Sequence, residues 1–223
     1  MKEYGLFDII GPIMVGPSSS HTAGAARLGF VARGIAGESI QHAKISLHGS
    51  FASTGYGHGT HLALLAGLLG LRADDDRLSQ AFQLAEAAGL TYEFAEIFIP
   101  NVNANTVLFE LTGQSGETYT VLGSSLGGGK INIVEFNGFK VNFNGQNPTI
   151  LCGHIDQPGM VAKVSSFLAA NGYNMASAHL LRKGRGEEAM LLVELDMPAK
   201  DYFQETLANF EGMLMVRVLP ELI

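Results

Sequence analysis

Beyond Pro148 the apolar pattern runs strand, helix, strand, strand, helix, strand, and few folds accept that order. The runs fall at residues 149–155, 158–171, 174–182, 187–195, 199–210 and 213–219. Ala189, Leu191, Val193 and Leu195 recur at every second position, as one face of a strand requires. Val161, Val164 and Leu168 predict the inner face of the first helix, and Phe203, Leu207 and Phe210 that of the second. A βαββαβ order over about 75 residues is that of a ferredoxin-like module.

Asn144-Gly-Gln-Asn-Pro148 clusters turn residues and separates this module from a different pattern. Two domains are therefore expected, 1–145 and 149–223. In the first, residues 1–15 read as a mixed, loop-like stretch. Leu28, Val31, Ala32 and Ile35 predict a helix after Thr22, with Gly37 as its stop. Ala43 to Leu47 read as a strand, followed by a glycine-rich loop from Gly49 to Gly59. Two more helices carry Leu62, Leu65, Ala66 and Leu69, then Leu78, Ala81, Phe82 and Ala85. After these the period drops to two, at Val107, Phe109 and Leu111 and again at Phe139, Val141 and Phe143. Asn137-Gly138 between two such runs predicts a hairpin, since both positions tolerate positive φ. The fold class is α+β.

Composition narrows the function. Apolar residues make up 47% of the chain and charged residues 16%, which opposes disorder and leaves surface for a partner to cover. A net charge of −7 opposes nucleic-acid binding, which needs clustered Lys and Arg. The longest apolar run, Leu62 to Leu71, is half of the roughly 20 residues a membrane helix needs. Glu3 and Asp8 interrupt any apolar leader, so a cytoplasmic location is expected. The single cysteine, Cys152, excludes an iron–sulfur cluster or a Cys-rich zinc site held by this chain alone. Cys152 itself reads as a small buried hydrophobe.

The densest chemistry lies in Gly16-Pro17-Ser18-Ser19-Ser20-His21-Thr22. Four hydroxyls and an imidazole sit where a loop becomes a helix, and a helix start presents free N–H groups to an anion. An N-cap explains one of these hydroxyls and leaves the others without a structural role. A Ser–His nucleophile pair is not expected, because adjacent side chains rarely face each other and no Gly-x-Ser-x-Gly elbow is present. The Gly49–Gly59 stretch delivers His58 to the next helix start, as a general acid/base or a ligand-orienting group. His61 reads as a helix-surface residue, because two histidines three apart without acidic or Cys partners make a weak metal site. Gly127-Gly128-Gly129-Lys130 joins two strands and offers backbone N–H groups to an anion or a close contact to a partner. Asp156 and Gly159 open the first helix of the C-terminal module, where a carboxylate beside free N–H groups suits an amino acid.

These strings together resemble the β chain of bacterial iron–sulfur-dependent L-serine dehydratases. The resemblance rests on Gly16 to Thr22, Gly57-His58-Gly59-Thr60 and Leu126-Gly-Gly-Gly-Lys-Ile131, and it covers essentially the whole chain. The C-terminal module, with Asp156-x-Pro-Gly159, looks like an ACT domain. The larger domain is also similar to the allosteric substrate-binding domain of some phosphoglycerate dehydrogenases, but no Rossmann fingerprint precedes it.

The resemblance implies a lyase subunit of amino-acid metabolism and gluconeogenesis that converts L-serine to pyruvate and ammonia and is inactive alone. A separate Cys-rich α subunit would hold the [4Fe–4S] cluster, whose open iron acts as a Lewis acid on the serine hydroxyl, so this chain would contribute no metal ligand. Ser18, Ser19, Ser20, His21 and Thr22 would hold the substrate, with His21 and His58 as the catalytic pair. A homodimer through the ACT module would be expected. Two positions depart from the family pattern. His61 stands where the family has Asp, and Asn103-Ala104-Asn105-Thr106 replaces a His-x-Asn element. A stand-alone amino-acid-binding regulatory protein and a metal-independent Ser/His hydrolase are the alternatives.

Overall fold

A computed structural model describes residues 18–222. The expectation for residues 1–15, and Gly16 and Pro17 of the serine-rich string, lie outside the described residues. The chain divides into two compact units, the first ending at Asn144 and the second beginning at Gly145.

In the first unit a single π-type turn, Ser20–Gly24, runs directly into helix α1 (Ala25–Ala36). Gly37 stops α1 with φ of 73°, and its N–H returns to the Arg33 carbonyl at 2.9 Å. The predicted face of Leu28, Val31, Ala32 and Ile35 is buried. Strand β1 (Ile40–Gly49) follows, then α2 (Ser50–His58) and α3 (Thr60–Leu68). A 3₁₀ turn (Asp76–Gln80) leads into α4 (Ala81–Ala87). The remaining strands are β2 (Thr91–Glu96), β3 (Asn105–Gly113), β4 (Thr118–Gly127), β5 (Lys130–Phe136) and β6 (Phe139–Phe143). They form one six-stranded sheet in the order β2-β1-β3-β4-β5-β6. Only the β1–β2 pair is parallel. The expected hairpin at Asn137-Gly138 is present, with φ of 45° and 81°.

One element differs from expectation. Gly49–Gly59 is not an extended loop, because its middle is the nine-residue helix α2. Gly49 makes the sharp bend out of β1 at φ 59°, ψ −121°, a conformation that side chains other than hydrogen rarely allow. The Ser50 N–H then donates to the Ala104 carbonyl at 2.7 Å, and Phe51 anchors the helix in the core. Gly59, at φ 72°, ends α2 and begins α3.

Helices α1 and α3 pack with glycine against glycine. A Cβ on Gly29 would strike the Leu64 carbonyl, and one on Gly67 would strike the Ala26 carbonyl. This close approach lets α1 lie over β3, β4 and β5 while α3 backs it.

The second unit contains β7 (Thr149–Ile155), α5 (Met160–Ala170), β8 (Met175–Arg182), β9 (Glu188–Leu195), α6 (Phe203–Ala208) and β10 (Met213–Leu219). Its four strands are antiparallel in the order β10-β7-β9-β8, which is the ferredoxin-like arrangement. Val161 does not belong to the inner face and is 42% exposed. Because α5 starts at Met160, its buried stripe is Met160, Val164 and Leu168, four residues apart. Both faces of β9 are buried, since Met190 and Leu192 are as enclosed as Leu191 and Val193.

The glycine contact predicts opposite outcomes for two substitutions. Gly67→Ala should lower unfolding free energy by about 1–3 kcal/mol through overpacking. Gly57→Ala, where a Cβ meets nothing within 4 Å, should be neutral or stabilise α2 by about 0.5–1 kcal/mol. Urea denaturation of both variants checks this, and equal destabilisation by the two would contradict the packing account.

Candidate active site

The π-type turn winds Ser18, Ser20 and His21 onto one side of the helix start. The Ser18 and Ser20 hydroxyls lie 3.3 and 3.1 Å from His21 Nδ1 and 3.2 Å from each other. Adjacent residues therefore do meet here, contrary to the sequence expectation for Ser20 and His21, because the wider turn brings them together. His21 itself is buried, with its ring edge-on to Phe51 at 5.2 Å.

Helix α2 completes the cluster. Ser50, Thr54 and His58 are spaced four apart and share a face. Ser50 Oγ lies 3.3 Å and Thr54 Oγ1 3.1 Å from His21 Nε2. His58 Nδ1 donates to the Thr54 carbonyl at 3.0 Å, and its ring centre lies 4.8 Å from that of His21. Two imidazoles thus stand side by side among four hydroxyls.

The other predicted residues take different places. Ser19 turns away from His21, and its Oγ accepts the Gly128 N–H at 3.2 Å. The Thr22 side chain is buried, and its hydroxyl donates to the Ser18 carbonyl, so it shapes the turn. Gly127, Gly128 and Gly129 all have positive φ, at 90°, 59° and 74°. Arg27 Nη1 donates to the Gly129 carbonyl at 2.7 Å, fastening this turn to α1. Lys130 opens β5, half-buried. In the second unit, Asp156 Oδ2 accepts from Arg182 Nη1 at 3.3 Å and from the Gly186 N–H at 3.2 Å. Gly159 sits exposed at φ 92° before α5.

His61 is not a surface residue. It is 4% exposed, stacked on Tyr56 at 3.8 Å and edge-on to Phe94 at 4.5 Å. At the start of β3, Asn103 Oδ1 accepts the Asn105 N–H at 2.8 Å, and Thr106 shares a buried hydroxyl pair with Ser124 at 2.6 Å.

Sequence reasoning missed Ser50, Thr54 and Arg27. The i, i+4, i+8 spacing of Ser50, Thr54 and His58 was the available signal, hidden by glycines that argued for a loop. Arg27 carried no signal, because its acceptor lies about a hundred residues away in the chain.

Burial holds the His21 pKa below the ordinary 6.5, against the hydrogen bond to the Ser50 backbone, and the neighbouring His58 lowers it further. Burial also lowers His61, opposed by the Gly55 backbone. Among the described residues no group of three or more His, Cys, Asp or Glu side chains is placed to hold a metal ion. Cys152 is buried in β7, and burial pushes its thiol up to about 12, far from thiolate character at neutral pH. The residues of this chain therefore do not fit the ligand set of an iron–sulfur cluster. No helix among the described residues is long and apolar enough to cross a membrane.

An α+β unit with a hydroxyl–imidazole cluster, followed by a ferredoxin-like unit, defines the class of protein. A family model described as the serine dehydratase beta chain matches residues 5–92. The chain is 42% identical to the probable L-serine dehydratase, beta chain, of Bacillus subtilis (strain 168), over 97% of this chain and 98% of that one. It is 40% identical to the L-serine dehydratase, beta chain, of Peptoniphilus asaccharolyticus, over 95% and 96%. It is also 25% identical to a D-3-phosphoglycerate dehydrogenase of Bacillus subtilis, over 87% of this chain and 37% of that protein. The chain belongs to the family of L-serine dehydratase beta chains.

The lowered histidine values fix a pH dependence. The unfolded chain binds these protons more readily than the folded one, so stability from the neutral imidazoles is complete above pH 6.5. It is lost as pH falls through the lower folded values. The urea midpoint should therefore drop on acidification below 6.5, and His61→Phe, which keeps the ring contacts, should flatten that drop. A midpoint with the same acid slope in both proteins would contradict the assignment.

Proposed function

We propose that this chain binds L-serine and moves its protons as one subunit of a two-chain dehydratase that yields pyruvate and ammonia. The observation that carries this reading is the juxtaposition of His21 and His58, 4.8 Å apart, within hydroxyls drawn from two helices. Hydroxyls and a helix start suit the carboxylate and ammonium of a small zwitterion. A neutral imidazole held below its usual pKa stays ready to accept a proton at neutral pH.

In this reading Ser18 and Ser20 hold the substrate through hydroxyl hydrogen bonds, and Ser19 fixes the turn that presents them. One imidazole accepts the Cα proton, hydroxide leaves, and the aminoacrylate so formed is hydrolysed to pyruvate and ammonia. Activation of the leaving hydroxyl falls to a partner. We assign it to a Cys-rich α subunit carrying a [4Fe–4S] cluster, because this chain has one cysteine and that one is inert. The chain alone is then inactive. We place homodimer contacts on the ferredoxin-like unit, whose edge strands β8 and β10 carry exposed Leu180 and Leu214.

Anaerobic reconstitution with the α subunit tests the proposal. Pyruvate should form from L-serine only when both chains are present. His21→Ala and His58→Ala should each lower kcat by about 10²-fold or more, the usual contribution of a positioned acid/base. Unchanged rates in both variants would refute these roles. Tight binding of L-serine by the isolated chain in calorimetry, without rate on mixing, would instead mark a stand-alone sensor.

A further inference from the structure

Thr54 touches both histidines through two different groups, and each contact has a fixed direction. Its carbonyl, which can only accept, lies 3.0 Å from His58 Nδ1. The proton of neutral His58 must then sit on Nδ1, and Nε2 carries the lone pair. Its hydroxyl has a single proton and lies 2.8 Å from the Ser50 carbonyl, the back-bond a helical threonine makes to residue i−4. With that proton engaged, Thr54 Oγ1 meets His21 Nε2 at 3.1 Å as an acceptor, and the Ser50 hydroxyl, 3.3 Å from both atoms, can give its own proton to Thr54 Oγ1 and accept from the ring. Neutral His21 therefore carries its proton on Nε2.

The lone pair of His21 then falls on Nδ1, the nitrogen that faces the Ser18 and Ser20 hydroxyls. The two imidazoles hold opposite tautomers.

We infer that Thr54 is the positioning residue that sets the basic nitrogen of each histidine, Nδ1 on His21 through its hydroxyl and Nε2 on His58 through its carbonyl. Partners that orient an imidazole commonly do so with a carboxylate or a carbonyl; here one threonine serves both rings. The relevance to catalysis rests on the proposed function above, whereas the tautomers themselves do not.

Thr54 is exposed on α2, so Thr54→Val removes the hydroxyl at little cost in folding and leaves the carbonyl in place. Long-range ¹H–¹⁵N correlation spectra of the full chain labelled in histidine, at about pH 8.5 and well above the ordinary histidine pKa, read each tautomer directly. His21→Gln and His58→Gln assign the signals. The native chain should show the Nε2–H pattern for His21 and the less common Nδ1–H pattern for His58. Thr54→Val should turn His21 into a mixture and leave His58 unchanged, and Thr54→Ser should restore the native pattern.

In the reconstituted enzyme, kcat of Thr54→Val should fall about tenfold or more with KM little changed, and Thr54→Ser should recover it. An Nδ1–H pattern for native His21, or a His21 signal indifferent to Thr54→Val, overturns the inference. The predicted change of tautomer with kcat unaltered would confirm the positioning and refute the catalytic role given to His21.

Discussion

The site exists because the start of α1 is tied to a turn about a hundred residues further along. Arg27 donates to the Gly129 carbonyl, and Ser19 accepts the Gly128 N–H. On the far side the Gly129 carbonyl and the Gly128 N–H are backbone groups of a turn with three successive positive φ values, a conformation that favours glycine. A Cβ on Gly24 would overlap Ser125 Oγ, so β4 also presses directly on the turn backbone. Held from both sides, the residues before α1 wind into a π-type turn that points Ser18, Ser20 and His21 the same way. Local unwinding of this kind is uncommon in helices and recurs at functional positions.

Against that fixed edge, α2 supplies the second wall. Its place depends on the Gly49 bend, the Ser50–Ala104 hydrogen bond and buried Phe51. Tyr56 and His61 brace its far end, with Phe94 of β2 behind them. His61 stands where the family resemblance expects Asp, and a buried carboxylate there would need a hydrogen-bonding partner. The imidazole that stands there packs between the rings of Tyr56 and Phe94.

Much of this was legible in the residues and some was not. The ferredoxin-like unit could be read almost to the residue, because its strands and helices carry unbroken apolar periods, as in Ile150, Cys152, Val164, Leu168, Leu191 and Val193. Its slips were Val161, which faces outward on α5, and the second helix, read over 199–210 where α6 runs only from Phe203 to Ala208 and leaves Phe210 beyond its end. The Ser18–Thr22 cluster announced itself by composition, but composition could not say that Ser19 and Thr22 serve the turn while Ser18 and Ser20 face His21. Ser50 and Thr54 were lost because a segment with four glycines was read as loop. Tertiary contacts at Phe51 and Ala104 overrode that weak local preference. Arg27 and His61 were invisible for a plainer reason, since their roles are set entirely by partners distant in sequence.

The central claim is that hydroxyls from the α1 turn and from α2, with His21 between them, form one receptacle for a small amino acid. A crystal structure of the proposed two-chain complex with L-serine tests it most directly. The account predicts serine within hydrogen-bonding distance of Ser18 or Ser20 and beside the His21 and His58 rings. Serine bound elsewhere in the complex, with the Ser18–His21–Thr54 hydrogen bonds untouched, would contradict it.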